Sequence, residues 1–162
     1  MSFFRRPEMD AWFSHLHKDG AMEIQFDHYY MCLMIGFASL RDDALNGGNE
    51  MIRHFPGQYA AASKLIVGLL LIAETQKLGK QLSNKRDVEF LVQQYLEPSG
   101  SGALNEVGFE RINNYANGGF NYLAEQYDKP YHADTFFSWY SERLNTVTSE
   151  SPLWSSQDKI VL

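Results

Sequence analysis

The sequence predicts an all-α protein: a single bundle of six or seven helices around two buried helices, at about 27–41 and 59–78. Three observations carry that prediction. Apolar residues recur at three- and four-residue spacing along most of the chain. No stretch alternates apolar and polar residues convincingly. Clusters of Gly, Pro and Asn fall between the periodic stretches. With 162 residues, 44% of them hydrophobic, the chain makes one domain able to bury a core without staples. That domain is expected over 1–147, followed by a polar tail over 148–162.

A first helix is expected over 7–18. Pro7 suits an early helical position, Glu8 and Asp10 favour the positive end of the helix, and Met9, Trp12, Phe13 and Leu16 share one face. Gly20 stops it. The next helix, 27–41, has Asp27 as its expected N-cap and is apolar nearly all round, which marks a buried helix. Asn46-Gly47-Gly48-Asn49 and Pro56-Gly57 make 42–57 a loop or a partly helical connection.

The longest helical candidate is 59–78, apolar from Leu65 to Ala73 except for Gly68, with Gly79 as its C-terminal cap. It is expected to pack on 27–41, with Gly36 and Gly68 letting the two backbones approach closely. Asn84 caps a helix over 84–96, whose buried stripe is Val88, Leu91, Val92 and Tyr95. The segment 97–102 reads as a flexible linker. A helix over 104–116, with Val107, Ile112 and Tyr115 inward, is expected to break at Asn117-Gly118-Gly119. Helical spacing then resumes through Phe120, Leu123, Ala124 and Tyr127, and Lys129-Pro130 ends it. Asp134 caps a last helix bearing Phe136, Phe137, Tyr140 and Leu144.

Composition excludes several classes. One cysteine, Cys32, allows no intrachain disulfide and no Cys-rich zinc module. The apolar runs 29–38 and 65–73 fall short of the roughly 18 residues of a membrane span. The first eight residues lack the apolar centre of a secretory signal, so a cytoplasmic protein with no membrane association is expected. A net charge of −6 opposes sequence-independent binding to nucleic acid or anionic membranes. Aromatic residues make up 14% of the chain, more than a small interior needs, so both core and interface roles are expected.

No catalytic residue, metal ligand or cofactor is assigned from the sequence. His15 and His17 would point about 200° apart on a helix and cannot share an ion, while His28, His54 and His132 are isolated. Cys32, in an apolar helix, is expected to be inert. The Gly-rich spots lack the Gly-Lys-Ser/Thr continuation of a phosphate loop. Glu74 and Lys77, three residues apart, read as a solvent-facing ion pair. If a small helical enzyme is hidden here, its site would be sought among Asp42, Asp43, Glu50 and His54.

Two features point to binding. Lys77, Lys80, Lys85 and Arg86 straddle a turn between two helices, as in a helix-turn-helix touching DNA phosphates. A positive helix end followed by an exposed turn is the favoured explanation, because Asp87 and Glu89 disfavour a phosphate-facing helix. Phe3, Phe4, Trp154, Ile160 and Leu162 lie outside the helical periodicities, so they are candidates for a partner interface.

The stretch from Phe26-Asp27-His28-Tyr29-Tyr30 through Leu33-Met34-Ile35-Gly36-Phe37-Ala38, together with Tyr115-Ala116-Asn117-Gly118-Gly119-Phe120, resembles a family of small helical accessory proteins. These are encoded in bacterial anti-phage operons, beside SMC-like ABC ATPases (the Lamassu and three-component ABC type) or DNA phosphorothioation genes. The resemblance implies a non-enzymatic adaptor that bridges an SMC-like ATPase and a nuclease or other effector, with nucleic acid reached through the complex. It carries over no active-site residue.

Overall fold

The fold, obtained as a computed structural model that describes residues 1–151, is predominantly helical, with seven α-helices and one two-stranded sheet among those residues. In chain order these are β1 (Phe3–Arg5), α1 (Pro7–Trp12), α2 (Ser14–Lys18), α3 (Gln25–Ser39), β2 (Asn49–Ile52), α4 (Ser63–Lys77), α5 (Lys85–Tyr95), α6 (Glu106–Gln126) and α7 (Ala133–Glu150). A 3-10 turn, Gly57–Tyr59, leads into α4.

Helix α3 forms the centre as expected, and its own sequence explains its start. Ile24 is the residue before the first turn, and Asp27 sits inside that turn. The Asp27 carboxylate accepts the Glu23 and Ile24 amides at 2.7 and 2.9 Å, satisfying donors that a helix start leaves free. Tyr29, Cys32, Leu33 and Ile35 are fully buried.

The partner of α3 is not the one expected. Its most extensive contact is with α6, and it touches α4 far less. Gly36 does allow a close approach, but to α6. A Cβ on Gly36 would overlap the Tyr115 carbonyl oxygen, and one on Gly119 would overlap the Cys32 carbonyl oxygen. A Cβ on Gly68 would meet nothing. Asn117-Gly118-Gly119 therefore does not break the chain: α6 runs unbroken for 21 residues, with the glycines at the crossing. Its start is fixed by Asn105, whose side chain accepts the Gly108 amide at 2.9 Å.

Other boundaries differ for local reasons. The expected helix 7–18 is two short ones, interrupted at Phe13, whose backbone leaves the helical region (φ −86°, ψ 3°). Helix α4 ends as predicted: Gly79 takes a positive φ of 61°, and the Lys80 amide donates to the Thr75 carbonyl at 2.9 Å. Asn84 caps α5 by accepting the Arg86 amide at 3.0 Å. Val92 and Val107, expected inward, are exposed. His132, not Asp134, precedes α7, which continues to Glu150, three residues into the segment read as tail.

The sheet was not expected. β1 and β2 pair antiparallel, Phe3 with Ile52 and Arg5 with Asn49. Phe3 is completely buried, in edge contact with Phe26, Tyr29, Phe55 and Phe109. Asn113 of α6 holds β1 from the other side: its Oδ1 accepts the Phe4 amide at 3.0 Å, and its Nδ2 donates to the Ser2 carbonyl at 3.0 Å. No helix among the described residues is long and apolar enough to cross a membrane.

Candidate functional site

Among the described residues, three places stand out: a buried carboxylate network, a histidine cluster under the N-terminal helices, and a groove beside the sheet.

The network centres on Glu74 of α4, which is 2% exposed. Its Oε1 accepts Arg111 Nη2 at 2.6 Å, Arg111 Nε at 3.1 Å and the Tyr115 hydroxyl at 2.9 Å. Its Oε2 accepts the Tyr95 hydroxyl at 2.5 Å. Arg111 also reaches Asp42 Oδ2 at 2.5 Å, and Lys77 pairs with the other oxygen of Asp42. The solvent-facing Glu74–Lys77 pair is therefore corrected. Glu74 points inward, where burial requires partners from α5 and α6, and Lys77 bonds across to the chain leaving α3. Burial and the neighbouring Glu74 push both tyrosine hydroxyls well up from their ordinary range. Two carboxylates thus meet two cations with every carboxylate oxygen occupied, an arrangement that fixes helices in place.

The histidine cluster lies where α1 and α2 dock on α3. His28 is buried, stacks on Phe13 at 5.0 Å between ring centres, and approaches Asp10 Oδ1 with Nδ1 at 3.3 Å. Asp10 also pairs with the buried Arg5. His28 Nε2 and Arg5 Nε are the buried side-chain atoms without a partner among the described residues. Burial first, then the nearby His17 and Arg5, hold the His28 pKa down at about 4. His17 meets His28 edge-on, whereas His15 lies against Tyr131, so the two neighbouring histidines do diverge.

The groove has a volume of about 810 Å³. Its apolar lining comes from Phe3 and Phe4 of β1, Phe55, Val67 of α4, and Leu104 and Phe109 near the start of α6. Around these stand Glu50, Arg53, His54, Ser63, Lys64 and Glu97. Glu50 accepts the Ser2 hydroxyl at 2.7 Å and Arg53 Nε at 3.0 Å. Those two bonds hold its carboxyl below its ordinary pKa.

The residues singled out in the sequence scatter. Glu50 and His54 meet at the groove, but Asp42 belongs to the Glu74 network. Asp43 accepts Arg41 Nε at 2.9 Å and Asn121 Nδ2 at 2.7 Å on the far side of the crossing. The basic turn is matched by acids: Lys77 pairs with Asp42, Lys80 with Asp87 at 3.4 Å, and Lys85 with Glu89 at 3.6 Å. Lys80 also stands over the Phe90 ring at 4.7 Å. Arg86 has no ion pair among the described residues. Phe3 is corrected from interface candidate to core, because strand pairing turns it inward. Phe4 is half-buried and lines the groove. Trp154, Ile160 and Leu162 lie outside the described residues. The Cys32 thiol is fully buried, which pushes its pKa far up and away from the nucleophilic thiolate. Among the described residues no group of three or more His, Cys, Asp and Glu is placed to hold a metal ion.

Sequence reasoning placed Tyr95 on a buried stripe but missed its bond to Glu74, and it missed Arg111, Asn113 and the groove itself. An arginine amid the apolar spacing of 104–116 was the available signal for the buried carboxylate. Comparison with protein-family models, curated proteins and solved structures found no match to this chain.

Proposed function

We propose that the chain is a non-enzymatic adaptor subunit that joins an SMC-like ATPase to an effector in a bacterial anti-phage complex. The observation that supports an adaptor is the unpacked side of α4. That helix is apolar around its circumference, yet only Ile66, Val67, Leu70 and Ala73 among its apolar residues turn fully into the core. Leu65 is left 63% exposed, with Leu69 and Ile72 half-buried at the following turns of the same stripe. Leu78 and Leu82, in the turn after α4, and Phe90 of α5 are exposed as well. Exposed apolar side chains on one stripe of a helix are suited to a protein–protein contact. The class of partner comes from the resemblance carried by 26–38 and 115–120, which are the segments that build the α3–α6 crossing.

The test is co-purification of the tagged chain expressed with its neighbouring genes, followed by a high-salt wash and mass spectrometry. An SMC-like ATPase recovered in stoichiometric amount, and lost from a Leu65→Glu, Phe90→Glu double variant that keeps its helical circular dichroism, supports the reading. A chain that emerges alone overturns it. Equal recovery of the ATPase by the double variant overturns the assignment of this face.

A further inference from the structure

The groove beside the sheet carries an inference that goes beyond the adaptor reading and does not depend on it. Its volume of about 810 Å³ falls within the roughly 300–1,000 Å³ of small-ligand sites. Its apolar lining is dominated by phenylalanine. Of its charged groups, Glu50 and Arg53 are engaged with each other. The Met1 ammonium also lines the groove and acts on Glu50. Two side-chain charges remain without a partner among the described residues: Lys64, on the first turn of α4, and Glu97, just beyond the end of α5. They do not pair with each other, although both line the same groove. Glu97 is held in place by its own backbone, whose amide donates to the Ala103 carbonyl at 2.8 Å, and its segment is tied to α6 by the Leu96–Leu104 bridge.

An apolar lining flanked by one unpaired cationic side chain and one unpaired anionic side chain is complementary to a molecule with an apolar body and both charges. A simple fatty acid would satisfy Lys64 and be repelled by Glu97. An uncharged hydrophobe would leave both unused. We propose that this groove binds apolar zwitterions, the chemistry shared by apolar amino acids and short apolar peptides with free ends. The ligand carboxylate goes to the Lys64 ammonium, its ammonium to the Glu97 carboxylate, and its side chains to the half-buried Phe4, Phe55 and Phe109.

Isothermal titration calorimetry on the full chain tests this with phenylalanine, the dipeptide leucyl-phenylalanine, its N-acetylated form and its C-amidated form. Binding of phenylalanine alone, of the dipeptide alone or of both identifies the source of the zwitterion. The expected pattern pairs each blocked end with one side chain. Either block weakens binding at least about tenfold, the loss of one charge-assisted contact. Lys64→Gln weakens the free dipeptide by a similar factor but leaves the C-amidated form unchanged. Glu97→Gln does the same with respect to the N-acetylated form. Both side chains are outside the core, so circular dichroism of the variants should match the parent. Absence of binding by phenylalanine and the dipeptide, equal binding of blocked and free forms, or variants indistinguishable from the parent would each overturn the proposal.

Discussion

Gly36 of α3 and Gly119 of α6 meet where the two central helices cross. A Cβ on Gly119 would stand 2.8 Å from the Gly36 amide nitrogen, besides overlapping the Cys32 carbonyl oxygen. Backbone presses on backbone there, and no side-chain rotation relieves an added methyl.

Gly119→Ala should therefore lower stability by at least about 2 kcal/mol, even though alanine is the better helix former. Gly68→Ala on α4 is the matched comparison, since an added Cβ there meets nothing. It should be neutral or raise stability by up to about 1 kcal/mol. Urea unfolding of both variants checks the contrast, and equal effects would refute the crossing.

Glu74→Ala should cost about 3 kcal/mol, because it leaves two tyrosine hydroxyls unpaired in a buried place and the Arg111 guanidinium with Asp42 as its one remaining carboxylate among the described residues. Adding Arg111→Ala should cost much less than a second independent loss. A double-mutant cycle by chemical denaturation measures that coupling, and strict additivity would contradict the network.

His28 gives the stability a pH dependence of known sign. Its folded pKa of about 4 lies below the ordinary 6.5, so the unfolded chain takes up the proton first. The neutral ring's contribution is fully present above pH 6.5 and is lost as pH falls towards 4, amounting to about 3 kcal/mol. A His28→Gln variant should show a flatter stability profile across that window. Parallel profiles for parent and variant would exclude His28 as the cause.

Asp27 joins the start of α3 to the turn before α4, since it also accepts the Tyr59 hydroxyl at 2.6 Å. Asp27→Ala should cost about 1–2 kcal/mol for the lost cap, and Tyr59→Phe about 1 kcal/mol. Thermal unfolding of the single and double variants should reveal coupling between them.

The helical class and the burial of α3 were legible because helical spacing is a local signal, as were the caps at Gly79 and Asn84. What α3 packs against was not. Leu65–Ala73 has the composition of a central helix, and Asn117-Gly118-Gly119 that of a break. Glycine serves a turn and a helix crossing equally well, and only the partner backbone decides between them. The candidate site was harder to read for the same reason. Glu74 and Lys77 are three residues apart, and nothing in that spacing shows that Arg111 waits on one side and Asp42 on the other. Phe3 sits in a three-residue strand, too short for alternation to show.

The hold that Asn113 exerts on Ser2 and Phe4 bears on the order in which the molecule assembles. The Phe4–Asn113 bond spans 109 positions, and the strand partner of β1 lies some fifty residues downstream. On a ribosome, β1 could pair with β2 and shelter Phe3 against Phe26, Tyr29 and Phe55 once those residues had emerged, but its bonds to Asn113 would wait for α6. Closing so long a span is entropically slow. The second anchor of the amino-terminal strand is thus among the late contacts to form, and a chain stalled before Asn113 would leave the Ser2 carbonyl and the Phe4 amide without their side-chain partner.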